Sequence, residues 1–296
     1  MPEQESKNKE RKNGKAEAKS AEDYFRDFPN KLDGSRVIEK IKVDNTRHCL
    51  IHIRQTHPTG KLETREEIEE DSREVMQNVR DTHASIHMIL AHMQRLYPQF
   101  KLYIEGIPRG MEKEFITKAQ QQKKNDQRLR FIERKVEESQ TRIEETDAML
   151  KKIKKSEPDN LMLIRNLEDE MTLLVSQLGL ALSRERGLLS DKRETDTLLL
   201  SARDFIVSGK IELRGAEDRA AFLAAIEAFD NGLKDTRVVQ EKREDGLLEI
   251  ISKDDIAFAV AMYGAAHDWR DTIDRWNSSH PDQKFSLIEI TPGGYK

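Results

Sequence analysis

Between residues 48 and 106 the sequence reads strand, helix, strand in succession, and that order restricts the fold more than any other feature. HCLIHI, residues 48–53, is short and rich in β-formers, and RQTHPTG follows it, where Pro58 and Gly60 announce a loop. From Ser72 to Leu96 the residues Val75, Val79, Ile86, Ile89 or Leu90, Met93 and Leu96 recur at helical spacing, closed by Pro98. KLYIEG, residues 101–106, is a second strand bounded by Gly106 and Pro108. A βαβ unit of this kind calls for parallel strands and a right-handed crossover. Near the other end, IAFAVAMYG (256–264) and KFSLIEIT (284–291) read as two more strands, with a helix around Trp269–Trp276 between them. The fold class expected is α/β, a mostly parallel sheet flanked by helices.

The middle of the chain has another character. From Arg128 to Lys155 the heptad positions Leu129, Val136, Ile143 and Leu150 run beside Ile132, Ser139, Thr146 and Ile153. After the break at SEPDN, Ile164, Met171 and Leu178 form one seam, and Leu167, Leu174, Ala181 and Leu188 the other. Two such helices joined by a short turn read as an antiparallel, coiled-coil-like hairpin. DRAAFLAAIEAFDNG, capped at Asn231–Gly232, and a helix from about Thr236 to Ile251 lead back to the sheet. The expected organisation is a disordered charged tail (1–20), a first part of the α/β domain (21–110), a long all-helical insertion (111–235) and a second part of the α/β domain (236–296). Tyr24, Phe25 and Phe28 mark a short helix or clasp on that domain, ended by Pro29 and the Asp33–Gly34 pair.

Composition excludes some functions. Charged residues make up 36% of the chain, but the net charge is only −4 and aromatics are 6%, so neither field nor stacking surface favours nucleic acid. One cysteine, Cys49, permits no internal disulfide. No apolar run approaches the ~20 residues of a membrane span. The beginning, MPEQESKNKERKNGK, has no hydrophobic signal stretch. A cytoplasmic protein is the expectation.

In open parallel sheets, ligands bind beyond the carboxyl ends of the strands. His57 stands four residues past the first strand, Glu105 ends the second, and His267 lies three past the third. A lone strand-end histidine is usually a loop residue with a satisfied hydrogen bond, but three such residues on one edge argue for a site. Two imidazoles and a carboxylate can serve as general base and orienting acid, or as three metal ligands that leave a position for water. Arg54 and Arg109, in the first and second loops, could receive an anionic group or a developing oxyanion. His83 and His87 lie four apart on the long helix, but no glutamate follows His83 as the metalloprotease pattern requires, and they read as an edge-of-core pair. His48 and His52 read as core, His280 as a turn residue.

RQTHPTG after an apolar strand, LYIEGIPRG after the helix and VAMYGAAHDW after a late strand resemble the motif order of a known superfamily. It includes TraB/PrgY proteins, Tiki proteases, erythromycin esterases and ChaN haem-binding lipoproteins. That group has a Gly-x-x-His loop after the first strand, a glutamate ending the second and a Gly-x-x-His loop after a late strand. Here Glu105 and Gly264-Ala265-Ala266-His267 match; His57 matches, with Arg54 in place of the preceding glycine. Arg109 stands for the arginine expected after the glutamate. EKRED, residues 241–245, falls where the group has a charged motif, and Arg243 is the residue carried over. The resemblance covers the two parts of the α/β domain, and the intervening helices match nothing specific. It implies a hydrolase of an ester, amide or peptide-like bond in a small molecule or peptide. His57, Glu105, His267, Arg54, Arg243 and Arg109 would be its site residues; the group holds metal-dependent and metal-free hydrolases and ligand binders, so the first three could hold a divalent transition metal or work without one, with haem as a lesser alternative. The alternative is a non-catalytic ligand binder or helical interaction protein whose 111–235 insertion meets a helical partner or another copy of the chain; as a third use, these helices could form a lid over the site.

Overall fold

Strand β2 (His48–Gln55) is buried along almost its whole length, as the unbroken run HCLIHI requires of a strand with helices on both faces. The computed structural model describes residues 19–55, 67–193, 201–220, 222–223, 227 and 237–295. Around β2 the remaining strands are β1 (Ser35–Ile41), β3 (Lys101–Pro108), β4 (Glu212–Glu217), β5 (Phe258–Gly264) and β6 (Phe285–Pro292). They form one six-stranded sheet in the order β1-β6-β2-β5-β3-β4. Every pairing is parallel except that of β1 with β6. The α/β class and mostly parallel sheet expected from sequence are therefore found, and β2, β3, β5 and β6 correspond to the four strands read there.

The helices with both ends among the described residues are α1 (Ala21–Asp27), α2 (Glu67–Leu96), α3 (Glu112–Ser156), α4 (Leu161–Arg193), α5 (Arg203–Val207), α6 (Arg237–Lys253) and α7 (Trp269–Ser279). Alternation along the strands divides the core in two. Cys49, Ile51 and Ile53 of β2 join Val260 and Met262 of β5 beneath α1 and the Ile86, Ile89, Leu90 and Met93 stripe of α2. Leu50, Ala261, Tyr263 and Leu287 face the other way, beneath Leu247, Leu248 and Ile251 of α6 and Trp269 and Ile273 of α7. His48 and His52 are fully buried on this second face. Among the described residues no helix is long and apolar enough to cross a membrane.

Helices α3 and α4 form the hairpin predicted by the heptads. Leu129, Val136 and Thr146 of α3 and Leu167 and Leu174 of α4 are buried, and Ser139 is half-buried. The side chains of Val75 and Leu188 fall outside the described residues, as do residues 1–18 of the expected tail, the Pro58 and Gly60 loop with His57, and the Asn231–Gly232 cap.

The sheet has two strands that sequence reading did not give. β1 is a half-exposed edge whose Arg36, Glu39 and Lys40 break any apolar alternation, as charged edge strands do. The expectation of an all-helical 111–235 segment is corrected at residues 212–217, where β4 pairs with β3. Gly215 lets β4 lie there: a Cβ on it would stand 2.4 Å from Arg109 Cα and 2.5 Å from Arg109 N, both backbone atoms that cannot swing aside. Replacing Gly215 by alanine is expected to lower the unfolding free energy by about 1–3 kcal/mol. Helical Gly246 meets nothing within 4 Å, and Gly246→Ala is expected to gain up to about 1 kcal/mol. Denaturant melts of both variants check the pair.

Candidate functional site

β3 and β4 run in register as far as Ile104↔Gly215 and then slip, so that the next pair is Pro108↔Glu217. The extra residues on β3 make a bulge, and Gly106 takes the positive φ of 81° that the bulge requires. This re-aims two carboxylates at the carboxyl edge of the sheet. Glu217 Oε1 accepts a 2.6 Å hydrogen bond from the Gly106 amide, while Glu105 Oε2 accepts one of 2.6 Å from the Gly264 amide at the end of β5.

Helix α6 brings a third carboxylate and an arginine. Glu244 lies on the stripe with Leu247, Leu248 and Ile251 and is buried with them, so its charge must be met inside the protein. Arg243, its neighbour, donates from Nη2 to Glu217 Oε1 at 2.6 Å and from Nε to Glu217 Oε2 at 3.2 Å. The same Nη2 lies 2.9 Å from Glu105 Oε1.

His267 is delivered by the turn after β5, where its amide donates to the Gly264 carbonyl at 3.2 Å. Its Nδ1 lies 2.7 Å from Glu244 Oε1 and its Nε2 lies 3.3 Å from Glu105 Oε1. Glu244 Oε2 accepts from the Thr272 hydroxyl in the first turn of α7. Tyr263 meets the imidazole edge-on at 5.0 Å and donates its own hydroxyl to the Ala216 carbonyl at 3.1 Å. Burial alone would drive the proton off His267, but hydrogen bonds to Glu105 and Glu244 outweigh it and push the pKa up to about 9. At neutral pH the ring is an imidazolium with both nitrogens donating. Burial also opposes the charge on Arg243, yet Glu217 and Glu105 raise its pKa further above the ordinary value.

Of the residues singled out in the sequence, the structure brings together Glu105, His267 and Arg243. Arg54 is held instead by Glu289, at 3.3 Å, and Arg109 by Asp254, at 2.8 Å, while His57 lies outside the described residues. Glu217, Glu244 and Thr272 went unread. Glu244 stands beside Arg243 in EKRED, and its place on an apolar stripe was a legible signal; Glu217 was hidden with its strand. A second group lies on the same face. His52 has Nδ1 3.4 Å from Glu289 Oε1 and Nε2 3.3 Å from the Tyr263 carbonyl, and Glu289 also accepts from Arg270 at 3.0 Å.

Glu105 and His267 do not fit as metal ligands in this arrangement. A cation between them would stand against the Arg243 guanidinium, which lies 2.9 Å from Glu105 Oε1. With both ring nitrogens engaged, His267 offers none to a haem iron. Among the described residues no group of three or more His, Cys, Asp or Glu is placed to hold a metal ion.

His267 titrates near its ordinary 6.5 in the unfolded chain and near 9 in the folded one. Its contribution to stability is therefore whole below about pH 6.5 and is lost as pH rises through about 9. Unfolding free energies measured across that window are expected to fall in the wild type and to fall less in His267→Gln. Equal slopes in the two proteins would show that the ring gains no proton affinity on folding. Compared with family models, curated proteins and solved structures, the chain matches none.

Proposed function

We propose that the protein is a hydrolase of an ester or amide bond in a small molecule or peptide, worked by Glu105 and His267. One observation carries the reading. Glu217 and Glu244 keep 0% and 2% of their side chains exposed, whereas Glu105 keeps 11% and so alone of the three carboxylates reaches solvent. It does so in contact with an imidazolium and a guanidinium, which is the acid, base and positive charge that acyl transfer to water needs.

In this mechanism Glu105 takes a proton from a water as its oxygen attacks the substrate carbonyl carbon. Negative charge on the tetrahedral intermediate faces Arg243. Collapse breaks the carbon–oxygen or carbon–nitrogen bond, and the leaving group receives a proton from His267. The proton on Glu105 then passes across the 3.3 Å contact to His267, restoring both groups. His267 thus acts as the acid. Glu244, fixed by Thr272, holds the ring in line. The reading places the reaction in the cytoplasm, supported by Cys49, a buried free thiol.

The test uses the full chain on p-nitrophenyl esters and fluorogenic peptide amides, with and without a chelator. Glu105→Gln is expected to lower kcat/KM by about 100-fold or more. Arg54→Ala and Arg109→Ala, whose partners lie outside the cluster, should retain most of it, and activity should fall as pH rises through about 9. Undiminished turnover by Glu105→Gln sinks the proposal, and loss on chelation would assign the chemistry to a metal.

A further inference from the structure

Helix α4 has two apolar faces, and the hairpin uses one. Leu167 and Leu174 are buried against α3. Leu173 and Leu180 lie on the far side, 58% and 61% exposed. Charge marks the same line. Glu168 and Glu170 turn back to α3, where they meet Lys154 and Arg142 at 2.7 and 2.8 Å, and Asp169 between them is exposed in line with Leu173. Arg184, also exposed, follows Leu180 by the same four residues that separate Asp169 from Leu173. The outer line therefore reads acid, leucine, leucine, base, symmetric in spacing and opposite in charge at its ends.

We infer that this outer face of α4 pairs antiparallel with α4 of a second copy of the chain. Rotation about a point between Ser176 and Gln177 sets Leu173 against Leu180 of the second copy and Asp169 against Arg184 of the second copy, and each contact is made twice, as a two-fold interface requires. The opposite orientation would set Asp169 on Asp169 and Arg184 on Arg184, a like-charge arrangement that complementary interfaces avoid. Ser176, near the centre of this line, is small, so two helix backbones can approach there. A foreign helix would need only one acidic or basic end opposite each charge; a pattern that complements its own reverse selects the same chain. The face lies on the hairpin, so its occupancy is independent of the chemistry at Glu105 and His267.

Sedimentation equilibrium of the full chain across the micromolar range tests this. The wild type is expected to be a dimer, and Leu173→Glu/Leu180→Glu a monomer with unchanged helical circular dichroism. Asp169→Arg and Arg184→Asp should each weaken self-association by tenfold or more. Mixing those two variants should restore a dimer, because each then offers the other its missing opposite charge. A monomeric wild type overturns the inference, and so does a dimer indifferent to these substitutions or a mixture that stays monomeric.

Discussion

Three glutamates converge at the carboxyl edge of the sheet with little or no access to water, and the local structure depends on how their charge is met. Ionised carboxylates taken out of water cost several kcal/mol each unless opposite charges and hydrogen bonds replace the lost solvation. Arg243 bridges Glu105 and Glu217, and His267 bridges Glu105 and Glu244. The bulge in β3, the backbone amides of Gly106 and Gly264 and the Thr272 hydroxyl take up lone pairs that the two cations leave. The network ties together β3, β4, β5, α6 and α7, elements drawn from both parts of the chain that flank the helical hairpin. Removing one member leaves its partners charged and buried, so the geometry tolerates few substitutions.

The same face of the sheet holds a second histidine in the opposite state. His52 is fully buried, and burial lowers its pKa, so it is neutral at physiological pH. Its one carboxylate neighbour, Glu289, is already shared with Arg270 and Arg54. Burial works against the charge on Glu289, yet His52 and Arg270 hold its pKa down at about 2. His267 has two carboxylates, one at each nitrogen, and keeps its proton. Two imidazoles on one sheet face thus differ in charge because of the number of carboxylates they answer to, and it is the charged one that lies beside the solvent-reaching Glu105.

Much of the sheet was legible because its central strands are buried on both sides and leave unbroken apolar runs. HCLIHI and FAVAMYG name themselves, and parallel strands then assign Glu105 and His267 to one edge. The helical hairpin was legible from its heptads, polar Ser139 and Thr146 included. What escaped was set by contacts distant in sequence. β1 is an edge whose strand partner, β6, is distant in sequence, and β4 is a short strand whose Gly215 makes sense only beside the Arg109 backbone. Arg54 and Arg109 sit in the right loops, but nearby acids claim them. Glu244 could have been found by asking why a carboxylate occupies an apolar stripe; Glu217 required knowledge of the bulge opposite it.

His267 stands at the centre of the site as an imidazolium donating from both nitrogens to Glu105 and Glu244. Nitrogen-detected NMR of the histidine side chains across a pH titration tests it most directly, with His267→Gln identifying the resonances. Two protonated ring nitrogens on His267 at neutral pH and a titration near pH 9 are expected, while His52 stays neutral. A His267 ring carrying one proton at neutral pH would contradict that assignment.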